Sequence, residues 1–139
     1  MKYLINDSNL DIIALTETRR DDDHPVCEIK DDFTWIGKDR KHGNGSGVGF
    51  MYNSKTVTII NSNLLDSMSD DFERLWMDIK IGPSSIAIGV VYFPVDNVKQ
   101  SHESATAITN ELTQNIAQLH GSYSNILLMG DFNGKIKAF

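Results

Sequence analysis

The spacing of apolar residues predicts several short strands. Residues 10–16 form a nearly continuous apolar run with β-branched side chains, which is typical of a strand buried on both faces. In residues 74–81 every second position is apolar, so this strand is expected to pack one face on a core. Asn53, Ser54 and Lys55 suit a hairpin turn between the third and fourth strands. The other strands, of which the last is apolar enough to be buried, are predicted at residues 33–37, 49–52, 56–60, 86–93 and 126–130.

One helix is predicted between the sixth and seventh strands. Its apolar positions recur every three or four residues and form one stripe: Ala105, Ile108, Leu112, Ile116 and Leu119. Ser101 can cap the N-terminus of this helix, and Gly121 can end it. Strands followed by a helix and a last strand predict an α+β sandwich, formed by a single domain over residues 1–139.

Composition and charge narrow the class of protein. The 139 residues are 40% hydrophobic and 23% charged, which is ordinary for a globular chain and excludes disordered, collagen-like and disulfide-rich classes. The chain has 13 basic and 19 acidic residues and a formal net charge of −6, so no broad basic face for nucleic acid is expected. A phosphate-bearing substrate would need a bound divalent cation or local basic residues, such as a small rim formed by Lys38, Arg40 and Lys41.

Cysteine content and hydropathy bear on location. Cys27 is the only cysteine, so no intrachain disulfide can form and a reducing compartment is the simplest setting. The first residues reach polar positions too early for a signal peptide, and no apolar stretch approaches the ~18 residues of a membrane span. We therefore expect a soluble intracellular protein without membrane contact, in the nucleus or the cytoplasm.

Polar groups follow three predicted strands at the point where each strand ends. Glu17 follows the first strand, Tyr92 lies near the end of the sixth, and the seventh is followed by Asp131 and Asn133. Carboxylates from two strands are what a hard divalent cation needs, with waters and a substrate phosphate as its other ligands. Tyr92 can donate to a developing phosphorane oxygen, and Asn133 can orient a nucleophile or a phosphate oxygen. Because Asp131 and Asn133 are two residues apart, they can converge on one face while strand geometry lasts.

Each of these residues also has a purely structural explanation. Glu17 can instead pair with Arg19 or Arg20, or cap a following turn. Tyr92 can be a core tyrosine with a satisfied hydroxyl, and residues 131–134 suit a turn because Asn-Gly favours positive φ. Spacing alone leaves both sets of explanations open. The histidines are expected to be solvated or capping residues: His24, His42, His102 and His120.

Three motifs resemble those of the endonuclease/exonuclease/phosphatase superfamily in order and rough spacing. They read Leu-Thr-Glu-Thr at 15–18, Val-Tyr-Phe-Pro at 91–94 and Gly-Asp-Phe-Asn at 130–133. This superfamily includes apurinic endonucleases, deoxyribonuclease I, inositol polyphosphate phosphatases and the endonuclease domain of non-LTR retrotransposons. Residues 126–134 and the strand start at 73–76 are most similar to the retrotransposon branch. The resemblance covers nearly the whole chain.

The resemblance implies a partial four-layered α/β/β/α sandwich of the deoxyribonuclease I-like type. It also implies a phosphodiesterase dependent on Mg²⁺ or Mn²⁺, of the kind that nicks DNA in retroelements, with water attacking phosphorus. By position, Glu17 resembles the metal-ligating glutamate and Tyr92 the tyrosine that contacts the scissile phosphate. Asp131 resembles the aspartate that orients or activates water, and Asn133 the asparagine that holds the phosphate.

The family pattern extends beyond this chain at both ends. Its first strand, which carries an asparagine ligand, has no counterpart ahead of Leu10, and its closing aspartate and Ser-Asp-His motif have none before Phe139. We therefore expect a truncated domain whose strand edges are exposed and which self-associates or needs a complementing segment. The alternative is a catalytically inactive remnant or binding domain of the same fold. An inositol-lipid phosphatase is a third option, for which a basic pocket would be expected.

Overall fold

A computed structural model of the chain describes residues 10–18, 32–38, 47–65, 73–93 and 102–133. The predicted strands and helix are confirmed in their order within these ranges. Ser101 and the side chain of Ala105 lie outside the described part of the chain. The elements are β1 (Ile12–Thr16), β2 (Phe33–Lys38), β3 (Val48–Asn53), β4 (Val57–Asn61), β5 (Glu73–Ile81), β6 (Ser84–Tyr92), α1 (His102–His120) and β7 (Ile126–Asp131).

The strands form two sheets. The first has the order β1-β3-β2 and is antiparallel, and the second has the order β4-β5-β6-β7, in which only β6 and β7 are parallel. The hairpin predicted between β3 and β4 is therefore wrong. The turn itself forms, because Asn53 accepts hydrogen bonds from the backbone N–H of Lys55 (3.0 Å) and of Thr56 (3.2 Å). Both edges of β3 are already paired, with β1 and β2, so β4 continues into the other sheet.

The two sheets pack face to face. Val48 and Phe50 of β3 are fully buried against the apolar face of β5 and β6, which is formed by Leu75, Met77, Ile79, Ile88 and Val90. The predicted alternation along β5 is thereby confirmed. The opposite face of the second sheet is covered by α1, so the described residues form the layers helix, sheet, sheet. This arrangement is an α+β, partial sandwich of the predicted class.

The buried stripe of α1 differs from the prediction at one position. Ile116 is 36% exposed, whereas Asn115 is only 7% exposed and lies with Ile108, Leu112 and Leu119 against the sheet. Helical geometry explains the difference. At about 100° per residue, Asn115 lies about 20° around the helix from Ile108, whereas Ile116 lies about 80° away.

The strands predicted to be fully buried, β1 and β7, are only half-buried. Each stands at the end of its sheet and pairs on one side only among the described residues. Leu127 on β7 is 45% exposed, and Phe132 just after it is 42% exposed. Although β1 and β7 are apolar in sequence, the layers that the structure describes therefore cover these two strands only in part.

Polar side chains connect α1 and its flanking turn to the second sheet. Arg74, 6% exposed, forms an ion pair with Glu111 of the helix. Asp78 accepts hydrogen bonds from Ser85 Oγ (2.8 Å) and from Tyr123 Oη (2.9 Å). Burial and the Asp78 carboxylate raise the pKa of Tyr123, so its hydroxyl stays a donor. These bonds lie on the helix side of the sheet, away from the inter-sheet core.

Gly130 permits the parallel pairing that brings the ends of β6 and β7 together. It lies opposite Val91, and a Cβ at this position would lie 1.9 Å from the Val91 carbonyl oxygen. Its φ of +140° is also one that residues with a side chain rarely adopt. The next residues along the two strands, Tyr92 and Asp131, are therefore direct neighbours.

We predict that Gly130→Ala lowers the free energy of unfolding by about 2–4 kcal/mol, because the new methyl group collides with backbone. Urea unfolding monitored by tryptophan fluorescence measures the change. Gly121→Ala is the matched control, since its Cβ would meet only Gln118 O at 3.4 Å, and should change stability by less than about 0.5 kcal/mol. Equal unfolding midpoints for the two variants would contradict the close approach at Gly130.

Candidate functional site

The candidate residues gather at one end of the two-sheet sandwich. Tyr92, the last residue of β6, lies opposite Glu73 across the antiparallel pair and opposite Asp131 across the parallel pair. Its side chain belongs to the inter-sheet core and is 8% exposed. In the first sheet, β1 ends at Thr16, and the hydrogen bond between Glu17 and Tyr92 shows that this end of β1 lies at the same end of the sandwich. The site therefore combines residues from both sheets.

The Tyr92 hydroxyl donates a hydrogen bond to Glu17 Oε1 and so links the two sheets. The bond to this carboxylate, burial, and the negative charges of Glu17, Asp131 and Glu73 together raise the pKa of Tyr92 to about 12. The hydroxyl therefore remains a proton donor at neutral pH. Tyr92 is buried with a satisfied hydroxyl, as its structural explanation predicts, yet its partner is the predicted metal ligand. The alternative partners of Glu17, Arg19 and Arg20, lie outside the described residues.

Glu17 has an unusual backbone conformation. Its φ is +51°, in the left-handed region that costs a residue with a side chain roughly 1 kcal/mol or more. The next residue, Thr18, donates its backbone N–H to Gly47 O at 3.2 Å, just before β3 begins. This bond holds the end of β1 to the first sheet. Glu17 itself is exposed and is thus accessible to solvent and ligands.

Asp131 and Asn133 meet through a turn rather than on a strand face, so their predicted convergence on one strand face is wrong. Strand geometry ends at Asp131, and the backbone N–H of Asn133 donates to Asp131 Oδ1 at 2.9 Å. Asn133 has a φ of +43°, as expected for the turn explanation. Its side-chain Nδ2 donates to Phe93 O, and Phe93 N donates to Asp131 O at 2.9 Å. Both candidate side chains remain exposed beside Tyr92.

Glu73 is a residue of this site that the sequence reasoning missed. Its Oε2 accepts the backbone N–H of Gly47 at 2.7 Å, across the gap between the sheets. A signal for its position was present in the sequence. A two-residue turn at Gly82-Pro83 fixes the register of β5 and β6, and that register pairs Glu73 with Tyr92.

Other predicted contributors are described only in part. Lys38 lies opposite Val48 at the same end of the first sheet and donates to Asn63 Oδ1 at 3.4 Å, while the rest of the expected basic rim, Arg40 and Lys41, lies outside the described residues. His120 is exposed in the last turn of α1. The side chains of the remaining histidines lie outside the described part: His24, His42 and His102.

Three further observations concern the described residues as a whole. These residues contain no group of three or more histidine, cysteine, aspartate or glutamate side chains placed to hold a metal ion. A shallow depression of about 400 Å³ lies at the opposite end of β6 and β7, but none of its lining residues is titratable. Among the same residues, no helix is long and apolar enough to cross a membrane.

Comparison with known protein families and with curated proteins gives no match to the sequence. Several solved structures are nevertheless similar in fold. Truncated Caenorhabditis elegans TDP2 superposes with a TM-score of 0.71 at 10% identity, over 99% of this chain and 56% of the other. The human Nocturnin catalytic domain with bound sulfate gives 0.65 at 14% identity, over 90% and 52%. D. rerio TDP2 complexed with a single-strand DNA product gives 0.63 at 12% identity, over 96% and 52%.

These similarities agree with the resemblance seen in the sequence motifs. TDP2 and Nocturnin are members of the endonuclease/exonuclease/phosphatase superfamily. At such low identity the superpositions show the fold, and the chain spans about half the length of each of these structures. The chain therefore shares, in partial form, the deoxyribonuclease I-like fold of these structures.

Proposed function

We propose that the chain is part of a Mg²⁺-dependent phosphodiesterase that nicks DNA, of the retroelement type. The observation that carries this proposal is the hydrogen bond between Glu17 and Tyr92, formed beside Asp131 at the end of the sandwich. Two similar structures are consistent with it: one TDP2 is complexed with a DNA product, and the Nocturnin domain binds a sulfate anion. Sulfate has the tetrahedral oxyanion shape of phosphate.

The donor set fits a hard divalent cation in part. Mg²⁺ is commonly held by one or two carboxylates, and waters and substrate phosphate oxygens complete its shell. Glu17 is exposed and engages Tyr92 through one carboxylate oxygen, so we assign it as the protein ligand. When bound, Mg²⁺ or Mn²⁺ would neutralise charge that develops on the phosphate. The same donor set argues against a closed, all-protein metal cage.

Asp131 is the residue that we assign to water activation. Its carboxylate is exposed and is oriented by the backbone N–H of Asn133 on Oδ1. A carboxylate held in this way can accept a proton from an attacking water molecule. The direct pairing of Asp131 with Tyr92 places this base next to the residue that would bind the phosphate.

Tyr92 and Asn133 would hold the phosphate. The Tyr92 hydroxyl has one proton, which it donates in a hydrogen bond to Glu17 in the described structure, so that hydrogen bond must turn from Glu17 towards a phosphate oxygen when substrate binds. The Asn133 amide has two N–H donors, of which Phe93 O accepts one. Its second donor can stabilise the negative charge of the pentacoordinate transition state.

The charge of the site sets a condition for DNA as the substrate. Three carboxylates surround Tyr92 in a chain of net charge −6, so DNA would be repelled unless a cation and a basic rim offset that charge. Lys38 stands at this end of the first sheet and can contact a neighbouring phosphate. We propose DNA as the partner on the basis of the single-strand DNA product bound to D. rerio TDP2, and the nucleus or cytoplasm as the place of action on the basis of the single cysteine.

We further propose that residues 1–139 belong to one incomplete domain. The half-buried strands β1 and β7, with Leu127 and Phe132 exposed, are consistent with faces that another segment covers. Self-association or a complementing segment would supply that cover. The active form of the enzyme would then contain more protein than these residues alone.

We expect Glu17→Gln and Asp131→Asn each to reduce metal-dependent plasmid nicking at least about 100-fold, because one weakens cation binding and the other removes the base. Conversion of supercoiled to open-circular DNA in Mg²⁺ or Mn²⁺ measures the rate. Asp32→Asn is the matched control and should nick like the wild type, since Asp32 pairs with Lys55 at the far end of the first sheet. A folded wild-type chain that never nicks DNA would favour the inactive binding domain instead.

Tyr92→Phe should slow nicking by about 100-fold, the usual effect of losing one donor to the transition state. Tyr123→Phe makes the same chemical change on the helix side of the sheet, where the hydroxyl donates to Asp78. It should cost about 1 kcal/mol of stability and leave nicking within about twofold of wild type. The nicking rates of both variants are compared at equal folded fraction by circular dichroism. Equal loss of nicking in the two would refute a direct role for Tyr92.

A further inference from the structure

Glu73 occupies the site without a role in the proposed chemistry. It is the first residue of β5 and is half-buried, and its Oε2 accepts the N–H of Gly47 at 2.7 Å. Gly47 in turn accepts the N–H of Thr18 on its carbonyl oxygen at 3.2 Å. Thr18 is bonded to Glu17. Two hydrogen bonds therefore connect β5, through Gly47 just before β3, to Thr18 and so to Glu17.

A second set of contacts leads from Glu17 back to β5. Glu17 accepts a hydrogen bond from the Tyr92 hydroxyl, and Tyr92 lies directly opposite Glu73 in the antiparallel pair of β5 and β6. The contacts form a closed circuit that passes once through each sheet. A circuit fixes relative positions better than a single bond does, because displacing one member strains every other contact in it.

Glu73 begins a strand that is well anchored in the described structure. The six residues that follow Glu73 on β5 are all buried, and β5 pairs with a strand on each side. Glu17, at the other end of the path, is exposed and has a left-handed φ of +51°. A conformation of this kind persists only when its surroundings hold it in place.

We infer that Glu73 is a positioning residue, which sets the place of Glu17 by binding the N–H of Gly47. The inference rests on the proposed function, because it treats Glu17 as the cation ligand. Glu73 acts through the backbone of Gly47 and Thr18 and does not itself touch the cation or the phosphate. The feature that matters is the acceptor oxygen of Glu73 and not its charge.

Substitutions at Glu73 separate these two properties. Glu73→Ala removes the acceptor, whereas Glu73→Gln keeps an acceptor oxygen of the same reach and removes the charge. Asp32→Ala is the control, because it removes a carboxylate from the far end of the first sheet, where Asp32 pairs with Lys55. All three variants are made in the full chain, and urea unfolding first establishes that each is folded.

Two measurements on the folded variants test the inference. Amide hydrogen exchange of Gly47 and Thr18, followed by NMR, reports the hydrogen-bond path. The dissociation constant of Mn²⁺, measured from the paramagnetic resonance of the free ion, reports the placement of Glu17. In Glu73→Ala we expect both amides to exchange at least about tenfold faster, and the Mn²⁺ dissociation constant to rise about tenfold. Glu73→Gln should restore both values to within about threefold of wild type, and Asp32→Ala should change neither.

Several results would overturn the inference. Unchanged Thr18 exchange in Glu73→Ala would show that the path does not hold the end of β1. Weak Mn²⁺ binding in Glu73→Gln, with protected amides, would show that Glu73 acts through its charge. If the wild-type chain binds no Mn²⁺, the proposed function fails, and the positioning role is then decided by amide exchange alone, with fast exchange in Glu73→Ala and rescue by Glu73→Gln supporting it.

Discussion

The packing of the first sheet on β5 and β6 is the interaction on which the candidate site depends. Packed sheets lie about 10 Å apart, and their separation is set here by fully buried side chains such as Phe50 and Met77. Tyr92 and Glu17 reach towards each other across this gap, one from each sheet. Neither strand end would define a site alone. Their meeting is a consequence of the core, and the close approach of β7 at Gly130 then adds Asp131 to it.

Local patterns were enough to predict most elements of the fold. The alternation along β5 and the helical spacing of α1 are properties of neighbouring residues, and both are confirmed apart from the exchange of Ile116 for Asn115. Strand pairing is a different kind of property. The turn chemistry at Asn53 is satisfied whether or not β3 and β4 pair, so it could not reveal that β1 and β2 fill both edges of β3. The half-exposure of β1 likewise depends on layers that its own sequence does not specify.

In the candidate site, too, local sequence features could be predicted, whereas contacts between residues distant in the sequence could not. Polar residues at strand ends directed attention to Glu17, Tyr92 and Asp131, and the structure brings these three together, which leaves their chemical roles as proposals. Glu73 was noted only as part of the strand start at 73–76 and was given no role in the site, because its partner, Gly47, is 26 residues away in the sequence and contributes only a backbone N–H. The side-chain amide of Asn133 similarly bonds to a carbonyl 40 residues away. Contacts between a side chain and distant backbone carry no pattern of residue types that sequence reading can detect.

The electrostatics of the site depend on how far each of its three carboxylates is buried. Three negative charges act on the buried hydroxyl of Tyr92 and help to raise its pKa to about 12. Without a cation, the same charges would repel a negatively charged phosphodiester at this end of the sandwich. Glu73 is half-buried and accepts a backbone N–H, which partly balances its charge within the protein. Glu17 and Asp131 are exposed. In the proposed enzyme these two therefore face the cation and the water molecule, and the acidic character that repels DNA is the property that makes a divalent cation necessary for binding it.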